Sequence, residues 1–195
     1  MKAVIYLHGF NSSPQSEKAQ LTQQYISSHS DLKVYVPALT VAPLDAIACV
    51  QQLVEQIGLN NLVGFIGSSL GGFYSLYLQR YYSQAFPAKA VLINPAIRPY
   101  ELLVDYLGEN QNLYTGERYH VDRSHMTELQ SLVVEPVKQP AHTLLLTQTH
   151  DEVLDYQQAV SFLDGSSMWI HYGGNHAFEG YRQVLPSILA FLLAG

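Results

Sequence analysis

Three short stretches of this 195-residue chain hold the residue types of covalent acyl chemistry. Gly67-Ser68-Ser69-Leu70-Gly71 fits G-x-S-x-G, with Gly72 following. A strand-to-helix turn of that form needs small residues on either side of an exposed serine, so Ser69 is the candidate nucleophile and Ser68, one residue out of frame, points elsewhere. The competing reading is a glycine-rich turn without chemistry, or one that holds a phosphate; no G-x-x-x-x-G-K-[ST] and no G-x-G-x-x-G follows any strand-like run. A serine hydroxyl becomes a useful nucleophile when a histidine takes its proton and a carboxylate holds that histidine in the right tautomer.

Eight histidines compete for the base. His176 alone lies in a glycine-rich loop, Gly173-Gly174-Asn175-His176, between a strand-like run and the final helical pattern. His171 ends a strand pattern, His29 ends a helical one and His142 leads into a strand. His120 and His125 have no cysteine or carboxylate pattern around them that would make a zinc site. For the acid, Gln148-Thr149-His150-Asp151-Glu152-Val153 leaves a late strand, and Asp151 is the choice. Asp155 reads as a helix cap, Glu152 as facing away and Asp164 as part of a turn, while Asp151 itself also suits an Asx-turn. His8-Gly9-Phe10 follows the first strand, where the backbone N–H of Phe10 can join that of Leu70 in binding an oxyanion. His8 reads as a structural histidine that bonds neighbouring loop backbone.

The elements that must position these residues alternate in period. Lys2–Leu7 is a short apolar run of the kind found in strands buried on both faces, and Leu32–Val36, Asn61–Ile66, Ala88–Ile93, Thr143–Thr147 and Ser167–His171 are further strand-like runs. Between and after them, Ser16–Ser28 (with Ser16 as a cap), Pro43–Ile57, Leu70–Tyr82, Asp155–Leu163 and Ala177–Leu193 carry helical patterns. Such alternation predicts one α/β domain over residues 1–195, a mostly parallel sheet with helices on both faces. Arg98–Glu135 departs from it. This stretch of about forty residues has no strand pattern and exceeds an ordinary connection. One amphipathic helix through Tyr100–Leu107, another over Met126–Val134, and a lid beside the sheet's carboxyl edge are the expectations.

Composition narrows the function class. Hydrophobic residues make up 48% and charged residues 13%, enough for a sizeable core, and a net charge of -6 offers no basic field for nucleic acid. Cys49 is the lone cysteine, the apolar N-terminal run stops at His8-Gly9, and no apolar run reaches membrane-spanning length, which together predict a cytoplasmic protein without a membrane partner.

The set H-G-F after the first strand, G-S-S-L-G-G at the turn, D-E-V-L-D-Y after the late strand and G-G-N-H-A-F before the last helix resembles the small α/β-hydrolases of the YqiA esterase type. The resemblance runs nearly end to end. It implies a hydrolase fold without the first two strands of larger relatives, and esterase activity on small esters or thioesters. It also implies Ser69 as nucleophile, Asp151 as acid and His176 as base, in that chain order. Where such families often carry a glycine near this aspartate, this chain has Gln148-Thr149-His150. No cofactor and no metal is called for. An acyl-CoA or acyl-carrier thioesterase is the runner-up, for which Arg98, Arg118 or Arg123 would meet a phosphate if they are more than solvated charges. A non-catalytic pseudo-hydrolase that binds a small ligand is the alternative of another class.

Overall fold

The computed structural model describes residues 1–135 and 140–194. In chain order the elements are β1 (Ala3–Leu7), α1 (Glu17–His29), β2 (Lys33–Tyr35), α2 (Pro43–Ile57), β3 (Leu62–Ser68), α3 (Leu70–Tyr82), β4 (Lys89–Ile93) and α4 (Pro99–Leu102). They continue with β5 (Gly108–Gln111), β6 (Arg118–Val121), α5 (Arg123–Ser131), β7 (Thr143–Gln148), α6 (Tyr156–Phe162), β8 (Ser167–His171) and α7 (Tyr181–Leu193). Strands β2-β1-β3-β4-β7-β8 form one sheet in that order, and every neighbouring pair is parallel.

The pleat sorts the apolar runs onto two faces. Val4, Tyr6, Ile66, Val91, Ile93 and Leu146 pack with α1 and α7 through residues such as Ala19, Ile26, Val184 and Ile188. Ile5, Leu7 and Phe65 face α2 and α3, and Leu92 and Leu145 face Leu76, Ala159 and Leu163. Because β1 lies between β2 and β3, the chain leaves the first strand toward one edge and later returns toward the other. The carboxyl ends of β1 and β3 therefore flank the point where strand order reverses, which is where open parallel sheets leave a crevice. No described helix is long and apolar enough to cross a membrane.

Several boundaries differ from the sequence reading. Ser16 occupies the N-cap position of α1 but makes no side-chain cap bond. The final helix starts at Tyr181 rather than Ala177. Within residues 98–135 the expected long helix ends after the single turn of α4 and a 3-10 turn at Leu103–Tyr106. An antiparallel hairpin, β5 with β6, follows, with Gly108 opposite Val121. Its first strand reads Gly-Glu-Asn-Gln, polar throughout, so hydrophobic periodicity carries no trace of it. Asn112 shapes the tip by accepting the N–H groups of Tyr114 and Thr115 (2.8 and 3.0 Å). Helix α5 begins three residues before Met126 because Asp122 caps it, accepting the Ser124 N–H at 2.8 Å.

Candidate active site

Ser69 stands between β3 and α3 with φ 55° and ψ −118°, a conformation that L-residues rarely adopt and that costs about 1–3 kcal/mol. The surroundings over-determine it. Its N–H donates to the Ile93 carbonyl (3.0 Å), and its own carbonyl accepts from Gly72 (2.9 Å) and Ala96 (3.1 Å). A methyl group at Gly67 would lie 2.1 Å from the Gly71 carbonyl oxygen, and one at Gly71 2.0 Å from that of Leu7, so side chains cannot enter the turn at either glycine. The result aims the Ser69 hydroxyl outward at the N-terminus of a 13-residue helix, whose dipole favours negative charge. Ser68 ends β3 and is buried.

The structure brings Ser69, His176 and Asp151 into one hydrogen-bonded row. His176 Nε2 lies 3.1 Å from Ser69 Oγ, and Nδ1 lies 2.8 and 3.0 Å from the two Asp151 oxygens. The Asp151 side chain is 1% exposed, and its Oδ1 also accepts the N–H groups of Val153 (2.9 Å) and Leu154 (2.8 Å). The Asx-turn and the histidine contact are thus made by the same carboxylate. An Nδ1–H donor toward Asp151 leaves Nε2 with its lone pair toward the serine hydroxyl. No residue from Gln148 to Glu152 has positive φ, so the turn forms without glycine. Asp155 caps α6 by accepting the Gln157 N–H at 2.9 Å.

His8-Gly9-Phe10 reaches Ser69 from β1, whose Leu7 is paired with Gly67 of β3. The approach is close: a methyl group at Gly9 would stand 3.2 Å from Ser69 Cβ. His8 is buried, faces the Gly9 carbonyl through Nδ1 (3.0 Å) and accepts the Leu39 N–H at Nε2 (3.2 Å); burial pushes its pKa down. Among the described residues no hydrogen bond engages the N–H of Phe10 or of Leu70. The Phe10 ring packs edge-on against Tyr106 and Tyr119, with centroids 5.1 and 6.1 Å away. Tyr119 also donates its hydroxyl to Asn11, and Asn112 donates to the Ser12 carbonyl (2.9 Å). Residues 98–135 are therefore anchored on the loop beside Ser69.

A cavity of about 390 Å³ opens at Ser69 and His176. Phe10, Ser16, Lys18 and Glu152 line it, and Leu113 and Tyr114 reach it from the hairpin tip. Of the three arginines considered for phosphate, Arg98 pairs with Glu101 at 3.5 Å on the surface, and none of the three lines this cavity. Among the described residues no group of three or more His, Cys, Asp or Glu side chains could hold a metal ion.

Sequence reasoning missed the groups that hold the histidine loop. Asn94 accepts the Gln148 N–H (3.0 Å) and donates to the carbonyls of Asn175 (3.0 Å) and His176 (3.2 Å). Gln148 accepts the N–H groups of Asn175 (3.0 Å) and Glu179 (2.9 Å). A methyl group at Gly174 would lie 2.0 Å from that amide oxygen, at a φ of +75°. Glu152 does not face away: its carboxylate accepts the His176 N–H at 2.9 Å, which holds its pKa below the ordinary carboxylate range. The available signal was only a polar residue just past two strand-like runs, Asn94 and Gln148; that both are buried appears with the fold.

This parallel sheet, with a strained serine between strand and helix and a histidine loop after the last strand, is the architecture of the α/β-hydrolase fold. Solved structures share it. Est1E from Butyrivibrio proteoclasticus, with ferulic acid bound, superposes with a TM-score of 0.75 at 15% identity, over 99% of this chain and 88% of its own. Mouse alpha/beta hydrolase domain-containing protein 10 gives 0.73 at 16%, over 98% and 89%. The esterase domain of a Rhodothermus marinus protein gives 0.70 at 16%, over 97% and 85%. At these identities the likeness is one of fold. The chain itself belongs to the Uncharacterised protein family (UPF0227), whose family model matches residues 3–193, in agreement with the YqiA-type resemblance of its motifs.

Proposed function

We propose that the protein is a serine esterase acting on small carboxylic esters through an acyl-enzyme. The observation that carries the reading is the row Ser69 Oγ, His176 Nε2, His176 Nδ1, Asp151 carboxylate, with hydrogen-bond distances of 3.1 and 2.8 Å. Ser69 Oγ attacks the ester carbonyl as its proton passes to His176 Nε2, and Asp151 stabilises the imidazolium that forms. The N–H groups of Phe10 and Leu70 bind the carbonyl oxygen as it becomes negative, assisted by the α3 N-terminus. His176 then protonates the leaving alkoxide. Water, deprotonated by the same imidazole, attacks the acyl-Ser69 carbonyl, and Ser69 leaves with its proton restored. No step calls for a metal or cofactor. Residues 98–135 act as the lid, with Leu113 and Tyr114 bounding the space for the acyl group.

The test is labelling with a fluorophosphonate read by intact mass, together with hydrolysis of p-nitrophenyl butyrate. The expected result is one adduct on the intact protein, none on Ser69→Ala, and a fall in kcat of at least about a thousandfold in that variant. Ser68→Ala should still label. A Ser69→Ala protein that hydrolyses the ester at the original rate would refute the assignment, and a folded parent that neither labels nor turns over would leave the pseudo-hydrolase. Comparing butyrate esters with butyryl thioesters of one leaving-group size separates esterase from thioesterase.

A further inference from the structure

The cavity beside Ser69 has a cation in its wall that the hydrolytic mechanism does not use. Lys18 lies in the first turn of α1 and lines this space together with Ser16, Tyr114 and Glu152. Its ammonium donates to the carbonyl of Ala177, the residue after His176, at 2.9 Å. An ammonium has three donors, and among the described residues Lys18 makes this one hydrogen bond and no ion pair. Half-burial removes water from the charge and pushes its pKa down, opposed by Glu17 and Asp151 nearby. A partly desolvated cation with spare donors gains most from an anion supplied from outside.

Resting on the esterase reading, we propose that Lys18 is a specificity-determining residue that binds a single carboxylate carried by the substrate hydrolysed at Ser69. One carboxylate, rather than a polyphosphate, fits the local charge: among the described residues lining the cavity Lys18 is the only Lys or Arg, and Glu17 and Glu152 line it too. Those two carboxylates oppose an anion weakly. Glu17 and Glu152 are exposed, where water screens their charges, Glu152 is already engaged by the His176 N–H, and the buried Asp151 carboxylate is committed to His176 Nδ1 and the N–H groups of Val153 and Leu154. The bond to Ala177 ties the ammonium to the residue after His176, in the wall of the cavity that opens at Ser69.

The experiment measures kcat/KM for two matched pairs, in the intact protein, Lys18→Met and Lys18→Arg. In the first pair, mono-p-nitrophenyl glutarate against p-nitrophenyl pentanoate, the carboxylate rides on the acyl half. In the second, 3-carboxyphenyl acetate against 3-carbamoylphenyl acetate, it rides on the leaving group. The intact protein should prefer the charged member of one pair, and that pair identifies the half that carries the anion. Lys18→Met should lower the charged-to-neutral ratio about tenfold, and Lys18→Arg should restore part of it. Calorimetric titration of Ser69→Ala with monomethyl glutarate and with methyl pentanoate reads the same preference without turnover. A parent inert toward every ester, whose Ser69→Ala form still prefers the glutarate and loses that preference when Lys18→Met is added, would defeat the esterase reading and leave of this one only the carboxylate site at Lys18. Equal losses for both members of each pair in Lys18→Met would overturn it, since a strap that merely holds the His176 loop affects all esters alike. So would a parent that prefers the neutral members.

Discussion

Replacing Asp151 by asparagine exchanges one oxygen for an NH2 group, and the contacts of that carboxylate set the consequence. Oδ1 accepts two backbone N–H groups, from Val153 and Leu154, while Oδ2 is the nearer oxygen to His176 Nδ1. In Asp151→Asn the amide oxygen should stay on the two backbone donors, which places the NH2 against Nδ1. The imidazole must then accept at Nδ1 and carry its proton on Nε2, where it can no longer take one from Ser69. Flipping the amide would rescue the tautomer but aim the NH2 at two N–H donors. Leaving those donors unpaired costs about 1–3 kcal/mol each, or about 2–6 kcal/mol together. The productive tautomer should therefore be populated between about 30-fold and about 10⁴-fold less, and kcat for p-nitrophenyl acetate should fall within that range. Denaturant midpoints should move little in Asp151→Asn, because the loop keeps its two acceptor bonds. Asp151→Ala leaves both donors unpaired and should cost about 1–3 kcal/mol of stability for each. An asparagine variant within tenfold of the parent in kcat would refute the reasoning and remove Asp151 as the orienting acid.

Two further outcomes follow from the geometry. Burial holds the pKa of His8 below its ordinary value near 6.5, so as pH falls through about 6.5 the unfolded chain takes up a proton before the folded one. Stability from this group is thus fully present above about pH 6.5 and is lost as pH falls toward the folded value; urea midpoints at about pH 7.5 and about pH 5.5 should show the decline, and His8→Gln should flatten it. An equal decline in the variant would show that His8 is not its source. For the hairpin proposed as a lid, Leu113→Ala with Tyr114→Ala removes the side chains that reach the cavity from its tip. In p-nitrophenyl esters from acetate to palmitate, the parent should peak at short chains, each methylene being worth about 0.8 kcal/mol only while it has wall to touch. The double variant should flatten that profile and raise KM, and an unchanged profile would make the hairpin surface decoration.

Much of the fold was legible in one dimension. Helix α3 and strand β8 lie where the periodicity predicts, over Leu70–Tyr82 and Ser167–His171. A strand buried on both faces, as β1 is, must be an apolar run, and a serine held at φ 55° between strand and helix needs the clearance of Gly67 and Gly71. Both requirements act within a few residues. The hairpin in residues 98–135 escaped because β5 is polar throughout and β6, Arg-Tyr-His-Val, is only four residues long, and because the loop at Phe10–Ser12, about a hundred residues earlier in the chain, anchors it. Asn94, Gln148 and Glu152 looked like ordinary loop or strand-end residues, since their contacts with the His176 loop appear only once β4, β7 and β8 lie side by side.

The sequence by itself determined the succession of the six strands of the main sheet and the helices that connect them, and which chemical groups stand at the carboxyl ends of β1, β3, β7 and β8. These are local properties, set by propensity, periodicity and the room that glycine leaves. Tertiary structure alone decided that β1 lies between β2 and β3, which brings Gly9 against Ser69, and that β7 and β8 pair so that Asp151 meets His176. It also decided that Lys18 closes over Ala177, 159 residues away. Strand order and side-chain partnership come from which apolar faces are buried together and which polar groups must then find partners out of water, and that competition involves the whole chain.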